Sequence, residues 1–224
     1  MRWNMNEKET RLILASASPR RRELLAQIGI FPEIVPSTVE EHPEGDTPEE
    51  VVTGLAEQKA LDVAERFSDG ELVIGADTVV ACDGRILGKP KTHEEAAEMI
   101  RLLSGKAHQV FTGVALVRAK TKTEPVGIVL DRFCEKTDVH VCPMDEEEIL
   151  RYAVSEEPMD KAGSYGIQGS FAAYVSGISG DYNNVVGLPV SRLYRALKEQ
   201  GIPLTRTVPS AGISRYSTPS ITRV

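Results

Sequence analysis

The chain has 224 residues, of which 41% are hydrophobic and 26% charged, and its formal net charge is −7. This size and composition predict one globular domain with a substantial core. The negative charge argues against non-specific nucleic-acid binding, which needs a basic face. The sequence contains neither an apolar run of membrane-spanning length nor a signal-peptide core. It has three cysteines, an odd number that cannot all pair in disulfides within the chain. We therefore expect a reduced, cytoplasmic location without a membrane or nucleic-acid partner.

The first informative stretch, residues 12–30, predicts a buried strand, a tight turn and a helix. Ser18 is a suitable N-cap, Pro19 fits the first helical position and Gly29 suits the helix end. The free N–H groups of a helix start favour anions. Further donors gather there, namely Ser16, Arg20, Arg21 and Arg22. Together these groups favour a phosphate site over the alternative of a capped helix with solvated arginines.

A second helix is predicted from a capping box that begins at Thr47 to about residue 67. Lys59 lies on the apolar stripe of this helix, four residues after Leu55. A lysine there either extends along the protein to the solvent or reaches an anion in a cleft. Both alternatives remain open from the residues alone.

The stretch over residues 72–77 predicts a buried strand that ends in Asp77. Ligands of α/β proteins commonly bind beyond strand ends. Because strand-like residues continue after Asp77, a helix-capping role is not expected, and this carboxylate is a candidate general base. A hairpin turn follows at Asp83 and Gly84. The returning strand then leads to Lys89, which adds a second basic position to the candidate site.

The second half of the chain predicts helices, two long strands and a glycine-rich loop. Residues 160–169 are rich in glycine and contain Lys161, Tyr165 and Gln168, so we predict a substrate loop, with a plain surface turn as the alternative. The other predicted elements are helices at 92–105, 145–153 and 189–201, strands at 108–118, 126–142 and 171–178, and a turn at 183–184.

Three regions are predicted along the chain. Residues 1–10 are predicted to be a flexible extension, residues 11–202 a single domain of two lobes around a cleft, and residues 203–224 a Ser/Thr-rich tail. The tail contains no acidic residue and lacks the apolar periodicity of a core element.

Six segments between residues 11 and 201 resemble, in the same order, the Maf family of nucleotide pyrophosphatases. The resemblance implies the α/β fold shared with inosine-triphosphate pyrophosphatases: an elongated mixed sheet flanked by helices, with a central cleft. It also implies a homodimer. The segments are LILASASPRRRELL, GADTVV, DGRILGKP, RLLSGKAHQVFTGVALV, EPMDKAGSYGIQG and GDYNNVVGLP.

The implied reaction is hydrolysis of a nucleoside triphosphate to the monophosphate and pyrophosphate. By resemblance, Asp77 is the catalytic base, although it could instead be chiefly a metal ligand. Glu40 and Asp77 would hold a divalent cation, Mg²⁺ or Mn²⁺, through oxygen atoms. The triphosphate would be bound by the predicted phosphate ligands, which are Ser16, Arg20, Arg21, Lys59 and Lys89.

The last two blocks resemble the family branch that prefers dTTP and UTP. The Gln168 amide carries both a donor and an acceptor, which match N3–H and O4 of uracil or thymine. Arg20 and Thr78 match the other specificity positions of the family. A nucleotide-sensing regulator of cell division, without turnover, is the alternative. A nucleotide kinase is disfavoured because no GxxxxGK[ST] phosphate loop is present.

Overall fold

The computed structural model describes residues 10–202, so the predicted extension, except for Thr10, and the predicted tail lie outside it. None of the helices it describes is long and apolar enough to cross a membrane. The strands are β1 (Leu12–Leu14), β2 (Glu33–Ile34), β3 (Leu72–Cys82), β4 (Arg85–Leu87), β5 (Ala107–Arg118), β6 (Ile128–Val141) and β7 (Val175–Ser179). The α-helices are α1 (Pro19–Gln27), α2 (Pro48–Ala64), α3 (His93–Leu103), α4 (Glu146–Ala153), α5 (Tyr182–Val186) and α6 (Val190–Glu199).

The strands form one seven-stranded sheet in the order β2-β1-β3-β5-β6-β7, with β4 added alongside β3. Strand β1 runs parallel to β2 and β3, and the remaining pairs are antiparallel. The long antiparallel strands form the centre of the sheet, and α2 packs against β3 and β5. The predicted α/β class, with a mixed sheet flanked by helices, is confirmed.

One edge of β3 lacks a strand partner in its middle. On that edge β1 pairs with Leu72 to Ile74, and β4 pairs only from Val80 onward. The opposite edge pairs with β5 without interruption, including Asp77 with Gly113. The prediction that the strand ends at Asp77 was therefore wrong, because pairing with β5 continues the strand past it. Asp77 lies instead beside a gap between two neighbouring strands.

Helix α2 approaches the sheet closely at two glycines. A Cβ atom on Gly75 would lie 2.1 Å from the carbonyl oxygen of Ala56, and one on Gly113 would lie 2.3 Å from that of Val52. Only a residue without a side chain fits between helix and strand at such distances. The helix begins at the predicted capping box of Thr47 and Glu50. This close packing brings the middle of α2 against the middle of β3.

The segment predicted as a strand over residues 171–178 begins as a 3₁₀ turn, Ser170–Tyr174, and becomes β7 only afterwards. Phe171 is fully buried and packs against the rings of Tyr152 and Tyr165. Its apolar character therefore reflects packing in the core rather than strand formation. Asn184, predicted in a turn, lies in α5 and is also fully buried.

Candidate active site

A cleft of about 430 Å³ opens at the gap in β3. Its walls come from the β1–α1 turn with the start of α1, from α2, from β3, from residues 160–169 and from residues 185–187. The cleft brings together all the predicted site residues except Glu40, and these are Ser16, Arg20, Arg21, Lys59, Asp77, Thr78, Lys89 and Gln168. Residues that lie more than 150 positions apart in sequence thus line one cavity.

The centre of the cleft is an ion-paired group of three residues. The Nζ atom of Lys59 lies 2.5 Å from Oδ1 of Asp77 and 2.9 Å from Oε1 of Glu41. The side chains of Lys59 and Asp77 are each only 15% exposed. Within residues 10–202 no other hydrogen bond engages the Asp77 carboxylate, so its Oδ2 atom has no protein donor. Lys59 therefore points into the cleft, toward these two carboxylates, rather than to the solvent.

The cleft contains Glu41 and not the predicted Glu40. Glu40 is an exposed residue in the irregular segment between β2 and α2. Lys59 thus connects Glu41 with the Asp77 carboxylate, since it pairs with both. Glu41 was not among the residues predicted from the sequence. No periodic pattern in that segment could have indicated which of two adjacent glutamates faces inward.

Most donors of Arg21 bind the protein itself. Its Nε donates to the carbonyl oxygen of Gly187, its Nη1 to Ser16 Oγ and to Ala76 O, and its Nη2 to Thr78 Oγ1, at distances of 2.9 to 3.1 Å. Burial lowers the pKa of Arg21, while the nearby charge of Asp77 opposes this shift. Since Ala76 O lies on the unpaired edge of β3, the guanidinium fills part of the gap and joins the cleft walls. One N–H remains for a ligand.

Thr78 continues this polar network into the core. Its Oγ1 lies 2.9 Å from Oγ1 of Thr112, which donates to the carbonyl oxygen of Asn184. Thr112 has only one hydroxyl hydrogen, so Thr78 donates to Thr112 and accepts from Arg21. Its hydroxyl hydrogen and one of its two acceptor sites are thereby used within the protein.

Arg20 is paired across the cleft. Its Nη1 donates to Oδ2 of Asp160 at 3.1 Å, and Nζ of Lys161 donates to Oδ1 of the same carboxylate at 2.6 Å. Burial favours a higher pKa for Asp160, but the hydrogen bonds from Lys161 and Arg20 outweigh it and leave the pKa below its usual value. The pairs connect the start of α1 with the loop that contains Gln168.

Two predicted ligands are free to meet a substrate. Gln168 is exposed and Lys89 is exposed, and within residues 10–202 neither side chain makes a hydrogen bond or ion pair. The family resemblance gave Arg20 and Thr78 as the other specificity positions. Both are engaged elsewhere, with Asp160 and with Arg21 and Thr112.

The donor set fits a hard divalent cation in part. Glu41 and Asp77 converge on the ammonium of Lys59, so their oxygens already enclose a position for positive charge. Between residues 10 and 202 no group of three or more His, Cys, Asp or Glu side chains gathers to form a metal site. Two carboxylates suit Mg²⁺, which retains waters and takes further oxygens from substrate phosphates.

The sequence has close relatives over nearly its whole length. A "dTTP/UTP pyrophosphatase" of Bacillus cereus (strain ATCC 10987 / NRS 248) is 52% identical over 200 residues, which are 89% of this chain and 94% of the relative. Proteins of the same name from Lachnoclostridium phytofermentans and Agathobacter rectalis are 45% and 50% identical, over 87% and 86% of this chain and 98% of each relative.

Among solved structures, a nucleoside-triphosphatase / dITP/XTP pyrophosphatase from Mycobacterium abscessus is similar over 85% of this chain and 98% of its own. It is 15% identical and superposes with a TM-score of 0.36, which is too low to establish a shared fold. The model of the family described as Maf-like protein matches residues 11–200. Because this model matches most of the chain and the relatives are 45–52% identical to it, the chain belongs to the Maf family.

Proposed function

We propose that this protein is a nucleoside triphosphate pyrophosphatase that hydrolyses dTTP and UTP to the monophosphate and pyrophosphate. One observation carries the proposal: the Asp77 carboxylate lies in a cleft whose other charged groups are mostly cations, at the unpaired stretch of β3. Such a cleft suits a substrate with a polyanionic chain and offers one base beside it. The names of the relatives agree with this chemistry.

In the proposed reaction Asp77 accepts a proton from water through Oδ2, the oxygen without a protein donor. The water oxygen forms a bond to the α-phosphorus, and the bond from this phosphorus to the oxygen bridging to the β-phosphorus breaks. Its electron pair leaves with pyrophosphate. A half-buried carboxylate fixed at the cleft suits the role of general base, since catalysis of phosphoryl transfer depends mainly on positioning and charge neutralisation.

The cations have separate proposed tasks. Lys59 and Lys89 would neutralise the triphosphate directly, Lys59 from inside the cleft and Lys89 from its rim. Arg20 and Ser16 would contribute from the α1 side. Arg21 would mainly hold the cleft walls in place, since four of its five N–H groups bind the protein. Its fifth N–H would bind phosphate.

A divalent cation, Mg²⁺ or Mn²⁺, would be held by Asp77 together with Glu41. Glu40 was the sequence-based choice, but Glu41 is the residue that lines the cleft. When bound, the cation would supply positive charge against the triphosphate. Lys59 lies between these two carboxylates and would have to move from them toward the phosphates.

For the base we propose recognition of uracil or thymine by the Gln168 amide, with Arg20 and Thr78 as neighbouring specificity positions. The free amide of Gln168 at the cleft supports this role. We also propose a cytoplasmic homodimer that acts in nucleotide-pool maintenance or in connection with division. The three cysteines, all free, agree with a reduced compartment.

A screen of nucleoside triphosphates with Mg²⁺ and with Mn²⁺, following pyrophosphate release, tests the proposal. We expect pyrophosphate and monophosphate in equal amounts from dTTP and UTP, and release that stops on chelation. Tight binding of dTTP without any release would instead favour the nucleotide-sensing alternative. Release of orthophosphate would contradict attack at the α-phosphorus.

A further inference from the structure

The turn that contains Gln168 is built on the carboxylate of Glu157. Its Oε2 accepts hydrogen bonds from the backbone N–H of Ser170 at 2.9 Å and from the Ser170 hydroxyl at 2.7 Å. Its Oε1 accepts from the hydroxyl of Tyr152, at 3.1 Å, on the neighbouring helix α4. Three neutral donors thus bind one carboxylate, and Glu157 has no cationic partner within the part of the chain that the structure describes.

The backbone on both sides of Gln168 lies directly on side chains of the same loop. A Cβ atom on Gly169 would lie 2.1 Å from Oε1 of Glu157, and one on Gly166 would lie 2.7 Å from Cε of Lys161. Lys161 in turn donates from Nζ to the carbonyl oxygen of Glu157, at 2.6 Å. Glu157 and Lys161 therefore limit how closely the backbone of this turn can approach residues 157–161.

Nothing else in residues 10–202 holds the Gln168 amide, since its side chain makes no hydrogen bond there. The position of this amide over the cleft must come from the backbone that carries it. We propose that Glu157 is a positioning residue that sets base selectivity, because it fixes the turn from which Gln168 reaches the nucleotide base. The inference rests on the proposed function, in which Gln168 recognises uracil or thymine.

The chemistry of the anchor favours a carboxylate. All three of its hydrogen-bond partners are donors, and a carboxylate only accepts. Burial favours a higher pKa for Glu157, but the hydrogen bonds from Ser170 and Tyr152 outweigh it and keep the pKa below its usual value. An amide in its place could keep both Ser170 bonds through its oxygen, but its NH₂ group would face Tyr152, whose hydroxyl would then have to accept instead of donate. Hydrogen bonds to a charged acceptor are also about twice as strong as neutral ones.

The test compares kcat/KM for dTTP and CTP in one reaction mixture. Their ratio does not depend on how much of a preparation is folded, so a loss of stability alone leaves it unchanged. We expect Glu157→Gln to lower the ratio roughly tenfold, as loss of a buried polar match does. Gly169→Ala, whose added methyl would overlap the same carboxylate and separate it from the turn, should lower it as well. Glu147→Gln, which breaks a surface pair with Arg151 on α4, is the control and should keep the wild-type ratio.

A second arm asks whether the effect passes through Gln168. In a Gln168→Ala background, adding Glu157→Gln should change the ratio by less than about twofold, because the group that it positions is already gone. An unchanged ratio in both Glu157→Gln and Gly169→Ala, or an undiminished effect in the Gln168→Ala background, would overturn the inference. A wild-type protein that does not prefer dTTP over CTP would overturn the proposed selectivity, and the inference with it, before any variant is made.

Discussion

The ammonium nitrogen of Lys59 lies 2.5 Å from Oδ1 of Asp77, inside the cleft. Helix α2 can bring Lys59 this close because Gly75 and Gly113 let it rest on the backbone of β3 and β5. The pairing favours the second of the two roles open to this lysine, contact with an anion in a cleft. It also fixes the position of the Asp77 carboxylate beside the proposed attacking water.

Asp77→Asn should abolish most turnover while leaving the fold intact. The amide keeps the shape of the side chain but cannot accept the proton of water. General base catalysis contributes about 10² to 10⁴ in rate, so kcat should fall by at least two decades. Steady-state kinetics, with dTTP binding measured by calorimetry, check this. Activity within tenfold of wild type would remove Asp77 from the role of base.

Lys59→Met should reduce kcat/KM for dTTP by about one to two decades, because a charge-assisted hydrogen bond is worth roughly 1.5–3 kcal/mol. Methionine retains the apolar length of the side chain, so packing on α2 is conserved. Lys198→Met, an exposed lysine in the last turn of α6, is the matched control and should be neutral. A variant that only melts earlier, with normal kcat/KM, would contradict a role at the phosphates.

Glu41→Gln and Glu40→Gln form a matched pair that differs by one position. Because only Glu41 lines the cleft and contacts Lys59, we expect its replacement to raise the Mn²⁺ concentration needed for half-maximal activity by roughly tenfold or more. Glu40→Gln should behave as wild type. The reverse result would restore Glu40 as the metal ligand, as predicted from the sequence.

Gly75→Ala should destabilise the protein. The added methyl would lie 2.1 Å from the carbonyl oxygen of Ala56, so α2 must move away from the sheet. Overpacking typically costs about 1–3 kcal/mol, and displacement of a backbone puts this case at the upper end. Gly54→Ala in the same helix is the control, since nothing lies within 4 Å of its added methyl. In denaturant unfolding, Gly54→Ala should have a free energy of unfolding about 0.5–1 kcal/mol above that of wild type.

Wild-type protein should hydrolyse dTTP and UTP at least roughly tenfold better than CTP, since one mispaired buried polar group costs about 1–3 kcal/mol. Cytosine presents the reversed donor and acceptor pattern to the Gln168 amide. Gln168→Glu should weaken dTTP turnover, because a carboxylate cannot donate to O4. Competition kinetics on both proteins measure these preferences. Equal rates on CTP and UTP would remove Gln168 from base recognition.

Local patterns were sufficient for much of the fold. The caps at Thr47, Thr92 and Asp145 start α2, α3 and α4 where the sequence predicts, because each accepts a hydrogen bond from a backbone N–H three residues later. The hairpin turn at Asp83 and Gly84 forms as predicted, with positive φ at both residues. Such features depend on residues that are neighbours in sequence, so a sequence pattern contains the whole cause.

The sequence by itself also determined the family and which kinds of residues meet at the cleft, since eight of its nine predicted site residues line that cavity. Only the tertiary structure decided how they meet: Glu41 rather than Glu40 at the cleft, Asp77 within a strand rather than at its end, and Arg21 with most donors occupied. These outcomes depend on contacts between distant segments, such as Arg21 with Gly187. Strand pairing and side-chain direction in an irregular segment are set by such contacts, which leave no local period in the sequence.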